Sequence, residues 1–421
     1  MKRQIYLAKL LLIGSLIFNG CKKKEKTPEP TPVPTPSPLA VVSTASVVSI
    51  SEYAAVCGGN VTSEGSSAIS AVGVCWNTNS GPTTLNPHTN NGAGTGSYTS
   101  SITSLQPGTT YYVRAYATNA NGTAYGNEIT FKTLPAWYLV NNALPPVALY
   151  CVSNGGKILA AASYFTGVTV PFYVSNDNGA TWTPSYSGIT GTMEGMEHVF
   201  IDGANIYASG DAKQYKSTDN GANWTLLNWP FTFKGDISAK LGTDLFSIGY
   251  NGNGVLRSSD NGNSWTPVNN GITDLVVGCL FTNGTNIYAG TNIGGCFRSS
   301  DNGNNWTPVN NGLTSTYVSN FASIGSNVFA ISGQSVFMTA DNGNNWTNIT
   351  NNLGVAAQQI ISYNGKLYVK ASNNGVFVSS NNGGSWSAMN TGLPAPNYGQ
   401  IFIHNSSLYI RAGLTLYAYT L

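Results

Sequence analysis

The chain has 421 residues, and its formal charge of +2 rests on only 19 basic and 17 acidic side chains, 9% of residues where ordinary soluble domains carry roughly 25%. Apolar residues at 41% and aromatics at 11% can bury large cores, which excludes a disordered chain, and 48 Gly with 19 Pro announce many turns. Seven basic residues fall in the first 26, so residues 40–421 keep 12 basic against 15 acidic side chains, a net of −3 that speaks against a nucleic-acid partner.

In chain order the first element is an address. Lys2, Arg3 and Lys9 precede an apolar run over 10–18, too short to span a bilayer and shaped like the core of a secretory signal. It ends in Phe18-Asn-Gly-Cys21, and a small residue before cysteine at this point resembles the lipobox of bacterial lipoproteins. The resemblance implies a signal peptide over 1–20, a lipidated Cys21 and a membrane partner reached through that anchor. Residues 21–39 are charged and then carry Pro at every second position, a composition that favours a polyproline II stalk of roughly 3.1 Å per residue. The expected location is the cell envelope, as an outer-membrane lipoprotein. The five other cysteines include no CxxC and the three histidines are far apart, so neither a metal nor a cofactor is expected.

From 40 to 135, short runs alternate apolar and polar residues between Gly, Asn, Ser and Pro, which predicts an antiparallel β-sandwich. Leu105-Gln-Pro-Gly-Thr-Thr-Tyr111-Tyr-Val-Arg-Ala-Tyr-Ala117, with a closing strand over 124–133, resembles a fibronectin type III domain. Val56-Cys-Gly-Gly-Asn-Val61 and Gly73-Val-Cys-Trp-Asn77 resemble the variant common in surface proteins of the Bacteroidota. The resemblance implies a corner tyrosine, Tyr111, bonding back over its turn. Cys57 and Cys75 fit a disulfide and two buried thiols equally well. Arg114 and Glu128 read as single charges on strands, on a solvated face.

Residues 136–421 are periodic. Ser175-Asn-Asp177-Asn-Gly179-Ala-Thr-Trp182 recurs with Asp219, Gly221 and Trp224, with Asp260, Gly262 and Trp265, with Asp301, Gly303 and Trp306, and with Asp341, Gly343 and Trp346. A sixth copy replaces Asp by Asn: Asn381, Gly383 and Trp386. The Trp separations of 42, 41, 41, 40 and 40 are the length of one four-stranded propeller blade. Each string resembles the Asp box, or BNR repeat, of sialidases and related propellers. That implies a hairpin between third and fourth strands, in which Asp accepts from turn N–H groups, Gly supplies positive φ and Trp starts the outer strand with its ring between sheets. Trp137-Tyr-Leu-Val-Asn-Asn-Ala-Leu144 repeats Trp306-Thr-Pro-Val-Asn-Asn-Gly-Leu313 without a box before it, and three C-terminal strands over 400–420 want a fourth. The expected fold is therefore all-β: a seven-bladed β-propeller, its last blade closed by the strand at Trp137, behind a fibronectin type III-like sandwich. Cys279 and Cys296 fall on first and third strands of one blade, about 9.5 Å apart, and read as buried free thiols.

A sialidase needs three arginines converging on a carboxylate. Arg257 and Arg298 instead hold the same repeat position, one before the box serine, and leave only Arg411. No catalytic residue is assigned. Ligands on propellers meet the loops that join outer to inner strands and second to third strands, opposite the boxes. There the candidates are Tyr164, Phe165, Tyr186, Glu194, Glu197, Trp229, Phe231, Phe233, Lys234, Asp236, Tyr250, Asp274, Tyr317 and Tyr398. The expectation is a monomer that binds a glycan or protein through this face. The competing reading, a glycoside hydrolase, requires Glu194, Glu197, Asp236 and Asp274 to converge on one pocket at roughly 5 to 10 Å.

Overall fold

The computed structural model describes residues 38–141, 144, 148–162, 172–189, 198–210, 213–232, 235–372, 374–394 and 398–421. The signal and most of the stalk, with Cys21, lie outside these, as do the candidates Tyr164, Phe165, Glu194, Glu197, Phe233 and Lys234.

Seven short strands open the described chain: β1 (Val41–Thr44), β2 (Ala55–Ser63), β3 (Ala71–Asn77), β4 (Gly96–Ile102), β5 (Thr110–Asn119), β6 (Gly122–Tyr125) and β7 (Ile129–Lys132). One sheet runs β1-β2-β4; in the other, β5 pairs β3 on one edge and β6 and β7 on the opposite edge. Alternation turns Val74, Val113, Ile102 and Phe131 inward, where they meet between the sheets. The gap between β6 and β7 is filled from the first sheet, because the Thr44 hydroxyl donates to Asn127 O at 2.5 Å and accepts from Ala115 N at 3.0 Å. At the corner before β5 the Gln106 N–H donates to the Tyr111 hydroxyl at 3.0 Å. Two sequence expectations change here. Arg114 is half-buried, with its guanidinium 4.8 Å from the Tyr125 ring centre. Glu128 lies between β6 and β7, not on a strand, and accepts from Ser80 Oγ at 2.8 Å and Gly81 N at 2.5 Å, so it pins a turn. Cys57 and Cys75 are both free thiols, facing the carbonyls of Ala45 and Pro82 at 3.3 and 3.4 Å.

Beyond β8 (Tyr138–Asn141) the described residues make six antiparallel four-stranded sheets in chain order, and β8 supplies the fourth strand of a seventh. Their inner strands are Ala148–Asn154, His198–Asp202, Gly235–Leu241, Val277–Asn283, Val318–Ile324, Ala357–Tyr363 and Tyr398–His404. Each packs on the next and the last on the first, so the sheets close a ring, a β-propeller. Alternating residues put an apolar layer on both faces of every sheet, and one buried cluster fills each junction between neighbours. In the closing sheet Tyr417 pairs with Leu139 and Ala418 with Tyr138 across the β8 edge. Trp137 anchors that edge: its N–H donates to Thr391 O at 3.0 Å and its indole N–H to Met389 O.

Candidate functional site

The two ends of the ring are built differently. At the end carrying the third-to-fourth-strand hairpins, the Asp177 Oδ1 accepts from the Ser175 hydroxyl at 2.8 Å and from Thr181 N at 2.8 Å, while Ser175 Oγ accepts from Gly179 N at 2.7 Å. The other four aspartate copies repeat this set. In the sixth, Asn381 Oδ1 accepts from Ser379 Oγ and Ser385 N at 2.9 Å, and its Nδ2 donates to Ser385 Oγ at 3.0 Å, where an aspartate would have accepted. The serine hydroxyl reverses its role and the loop keeps every bond. The side-chain donors at position four, led by the Thr181, Ser264 and Asn345 groups, hold Asp177, Asp260 and Asp341 down to about 2. Both Asn and Gly of each turn are left-handed, for example Asn342 at φ 60° and Gly343 at φ 90°. The sequence reading credited Gly alone; the invariant Asn-Gly pair was the missed signal.

Each box Trp immediately precedes a two-residue outer strand instead of starting it, and packs back on the preceding sheet. The Trp306, Trp346 and Trp386 indoles donate to Val268, Val309 and Ile349 carbonyls of that sheet at 2.8, 2.8 and 2.9 Å. Trp182 is only half-buried, and its indole nitrogen has no partner. The arginines also serve this end. Arg257 Nη1 donates to Asn302 O at 2.8 Å and Arg298 Nη1 to Asn342 O at 2.7 Å, each gripping the hairpin of the next sheet.

Around the ring's inner edge, side chains at one register position stitch the fifth, sixth and seventh sheets each to the sheet that follows. Asn320 Oδ1 accepts from Ile360 N at 2.8 Å. Gln359 both accepts from Ile401 N at 2.8 Å and donates to Ile401 O at 2.9 Å, and Gln400 accepts from Cys151 N at 3.2 Å. Aligning the inner strands one residue before their apolar core position reveals these amides, which motif reading passed over.

At the same register position in the first two sheets stand Tyr150 and His198, and beside them opens a cavity of about 400 Å³, lined by residues of the first five sheets. Asp236 enters it from the start of the third inner strand. Its carboxylate is 3% exposed; Oδ2 accepts from the Tyr250 hydroxyl at 2.7 Å and Oδ1 has no partner. Burial first, and then the Asp236 charge, push the Tyr250 phenol well above its usual value. The His198 ring lies 5.5 Å from that of Tyr150, and its Nδ1 is buried without a partner. Burial holds His198 below the ordinary histidine value, against the pull of Asp236. Cys279, read from sequence as buried, is half-buried and lines this cavity.

The structure therefore joins Asp236 and Tyr250 in one place. Tyr317, in the loop just before the fifth inner strand, is 47% exposed; Tyr186 is 50% exposed but sits between Ser185 and Ser187, which bond to Gly221 and Trp224 of the next sheet's hairpin. Tyr398 begins the seventh inner strand. Three further candidates are corrected. Trp229 and Phe231 are half-buried and meet edge to face at 5.2 Å, and the Trp229 ring lies 5.5 Å from Trp265, so they fill the junction between the second and third sheets. Gly235 permits this, because a Cβ there would lie 2.3 Å from the Trp229 ring. Asp274 is not among the residues lining the cavity: Oδ1 accepts from Val276 N at 3.1 Å, and Oδ2 from Ile293 N and Gly294 N at 2.8 and 3.0 Å. It ties two loops of one sheet together. The four-carboxylate convergence is thus broken at Asp274.

Solved structures resemble this chain. YCF48 bound to D1 peptide aligns at 16% identity with a TM-score of 0.51, over 68% of this chain and 95% of that one. A GH74 xyloglucanase from Xanthomonas campestris aligns at 13% identity and TM-score 0.52, and the extracellular domain of BT4673 from B. thetaiotaomicron at 12% and 0.54. The alignments take in 68% and 67% of this chain but only 53% and 39% of theirs, so this chain spans about half the length of the one and about two fifths of the other. At such identities the likeness establishes the fold. A search of curated proteins finds no match. The model of one family matches twice, over residues 145–286 and 276–418, and the chain belongs to that family, the DUF6242 beta propeller domain.

Proposed function

We propose that this is a lipid-anchored envelope protein whose fibronectin type III-like sandwich carries a seven-bladed Asp-box propeller, and that the propeller's loop-rich end binds a glycan or protein partner without catalysis. The corner bond of Tyr111, the hairpin geometry at Asp177 and the pairing of β8 with the final strands support the architectural part. The observation that carries the functional part is the exposed tyrosines Tyr250 and Tyr317, beside a polar cavity in which Asp236 is the one charged side chain among the described lining residues. Rings of this kind stack on sugars or anchor a protein loop. A glycosidase pair would place a second carboxylate beside Asp236, and Asp274 is engaged elsewhere.

Glycan and peptide arrays probed with the whole protein, followed by turnover assays on any glycan retained, test the reading. Saturable binding without turnover, lost in Tyr317→Ala, is expected. Turnover abolished by Glu194→Gln would replace it with the hydrolase reading. Metabolic labelling with a fatty acid, lost in Cys21→Ser, tests the anchor.

A further inference from the structure

We infer that the central cavity takes a cationic nitrogen, the ammonium or guanidinium of a lysine or arginine side chain presented by a protein partner, with Asp236 Oδ1 as its acceptor and the orphaned His198 Nδ1 beside it. This deepens the binding reading above and rests on it. Both atoms are buried and unpartnered beside a cavity of about 400 Å³, and a buried carboxylate oxygen without a donor is costly to keep.

A carboxylate oxygen accepts and cannot donate, and a neutral sugar hydroxyl brings no charge to set against it, whereas an ammonium or guanidinium brings donors alone together with the opposite charge. The residue type has the right sign too: Asp236 is the one acidic side chain among the described lining residues, and Tyr150 and Tyr250 line the same cavity with the kind of ring on which cations rest. Tyr250 occupies Oδ2, which leaves Oδ1 directed to the guest.

Calorimetry of the full chain with N-acetyl-lysine methylamide and N-acetyl-arginine methylamide, against the neutral isostere N-acetyl-norleucine methylamide, tests this. A cationic probe should bind and the neutral one should not, and Asp236→Asn should weaken binding about tenfold or more, the loss expected for one charge-assisted hydrogen bond. A free diamine such as cadaverine should bind more weakly than lysine within a peptide if the source is a protein side chain; the reverse order overturns that assignment. Equal binding of norleucine, no binding of either cation, or indifference to Asp236→Asn overturns the inference. The norleucine comparison uses the unaltered protein, so it holds even if the Asp236 variant fails to fold. If the cations fail while Tyr317→Ala still abolishes partner binding, only this inference falls.

Discussion

At the box end of the propeller, six hairpins make the same three hydrogen bonds between a hydroxyl, a carboxylate or amide and two turn N–H groups. At the opposite end, Asp236 is left with an orphaned oxygen while Asp274, an outwardly similar loop carboxylate, accepts three backbone donors. The contrast separates two uses of polar groups. Where the set is repeated it holds sheets in place; the orphaned oxygen of Asp236 lies beside a cavity, where a guest can reach it. It also predicts where substitutions hurt stability and where they hurt recognition.

The largest effect should come from the box end. Trp306→Ala removes a buried ring and its bond to Val268 O, and denaturant unfolding should show a loss of about 3–5 kcal/mol. Trp182→Ala, at the half-buried copy, should cost distinctly less, and equality of the two would contradict the packing argument. Next comes Gly235→Ala, which drives a methyl into the Trp229 ring and should cost about 1–3 kcal/mol by the same measurement. Tyr250→Phe strands the second oxygen of Asp236 and should cost about 1–3 kcal/mol while leaving the ring fold, read by circular dichroism, unchanged.

Asp260→Asn should be smallest of all. Ser264 can accept from the new amide as Ser385 does in the natural asparagine copy, so the unfolding midpoint at pH 7 should barely move. Acid separates the two residues. Because the folded carboxyl of Asp260 sits at about 2, below its unfolded value near 3.9, its contribution is full above pH 4 and disappears as pH falls towards 2. The wild-type boxes should therefore lose stability over that window, and each Asp→Asn replacement should reduce the pH slope. An unchanged slope would detach the carboxylates from the stability of this end.

The rhythm of forty-odd residues was legible because every sheet must solve the same problem, burying two apolar faces against its neighbours, with local turn chemistry that recurs in sequence. What was not legible depends on contacts between sheets. Nothing near Gln359 or Gln400 marks them as stitches; their partners, Ile401 and Cys151, are fixed by ring register. Trp229 and Phe231 depart from the repeat and so resemble recognition residues, yet a glycine at 235 lets the Trp229 ring lie flat on the strand and turns both inward. Asp236 and Asp274 cannot be told apart in sequence, because the difference lies in whether the N–H groups of Ile293 and Gly294 converge on the oxygen. The pairing of Asn with Gly in the hairpins was visible throughout and needed only the recognition that both residues turn left-handed.

Strand β8 carries a temporal consequence. It emerges from the biosynthetic machinery before any other part of the ring, but its partner strand, Thr415–Thr420, emerges last. The Trp137 indole therefore waits, wetted and unpaired, while six sheets assemble behind it, and the circle shuts in a single late event between segments at opposite extremes of the domain. Long-range pairing of this sort is slow and exposes sticky surface in the interim. A nascent chain interrupted before residue 415 would thus carry both an idle strand and an incomplete final sheet, edges well suited to pair with a neighbouring copy.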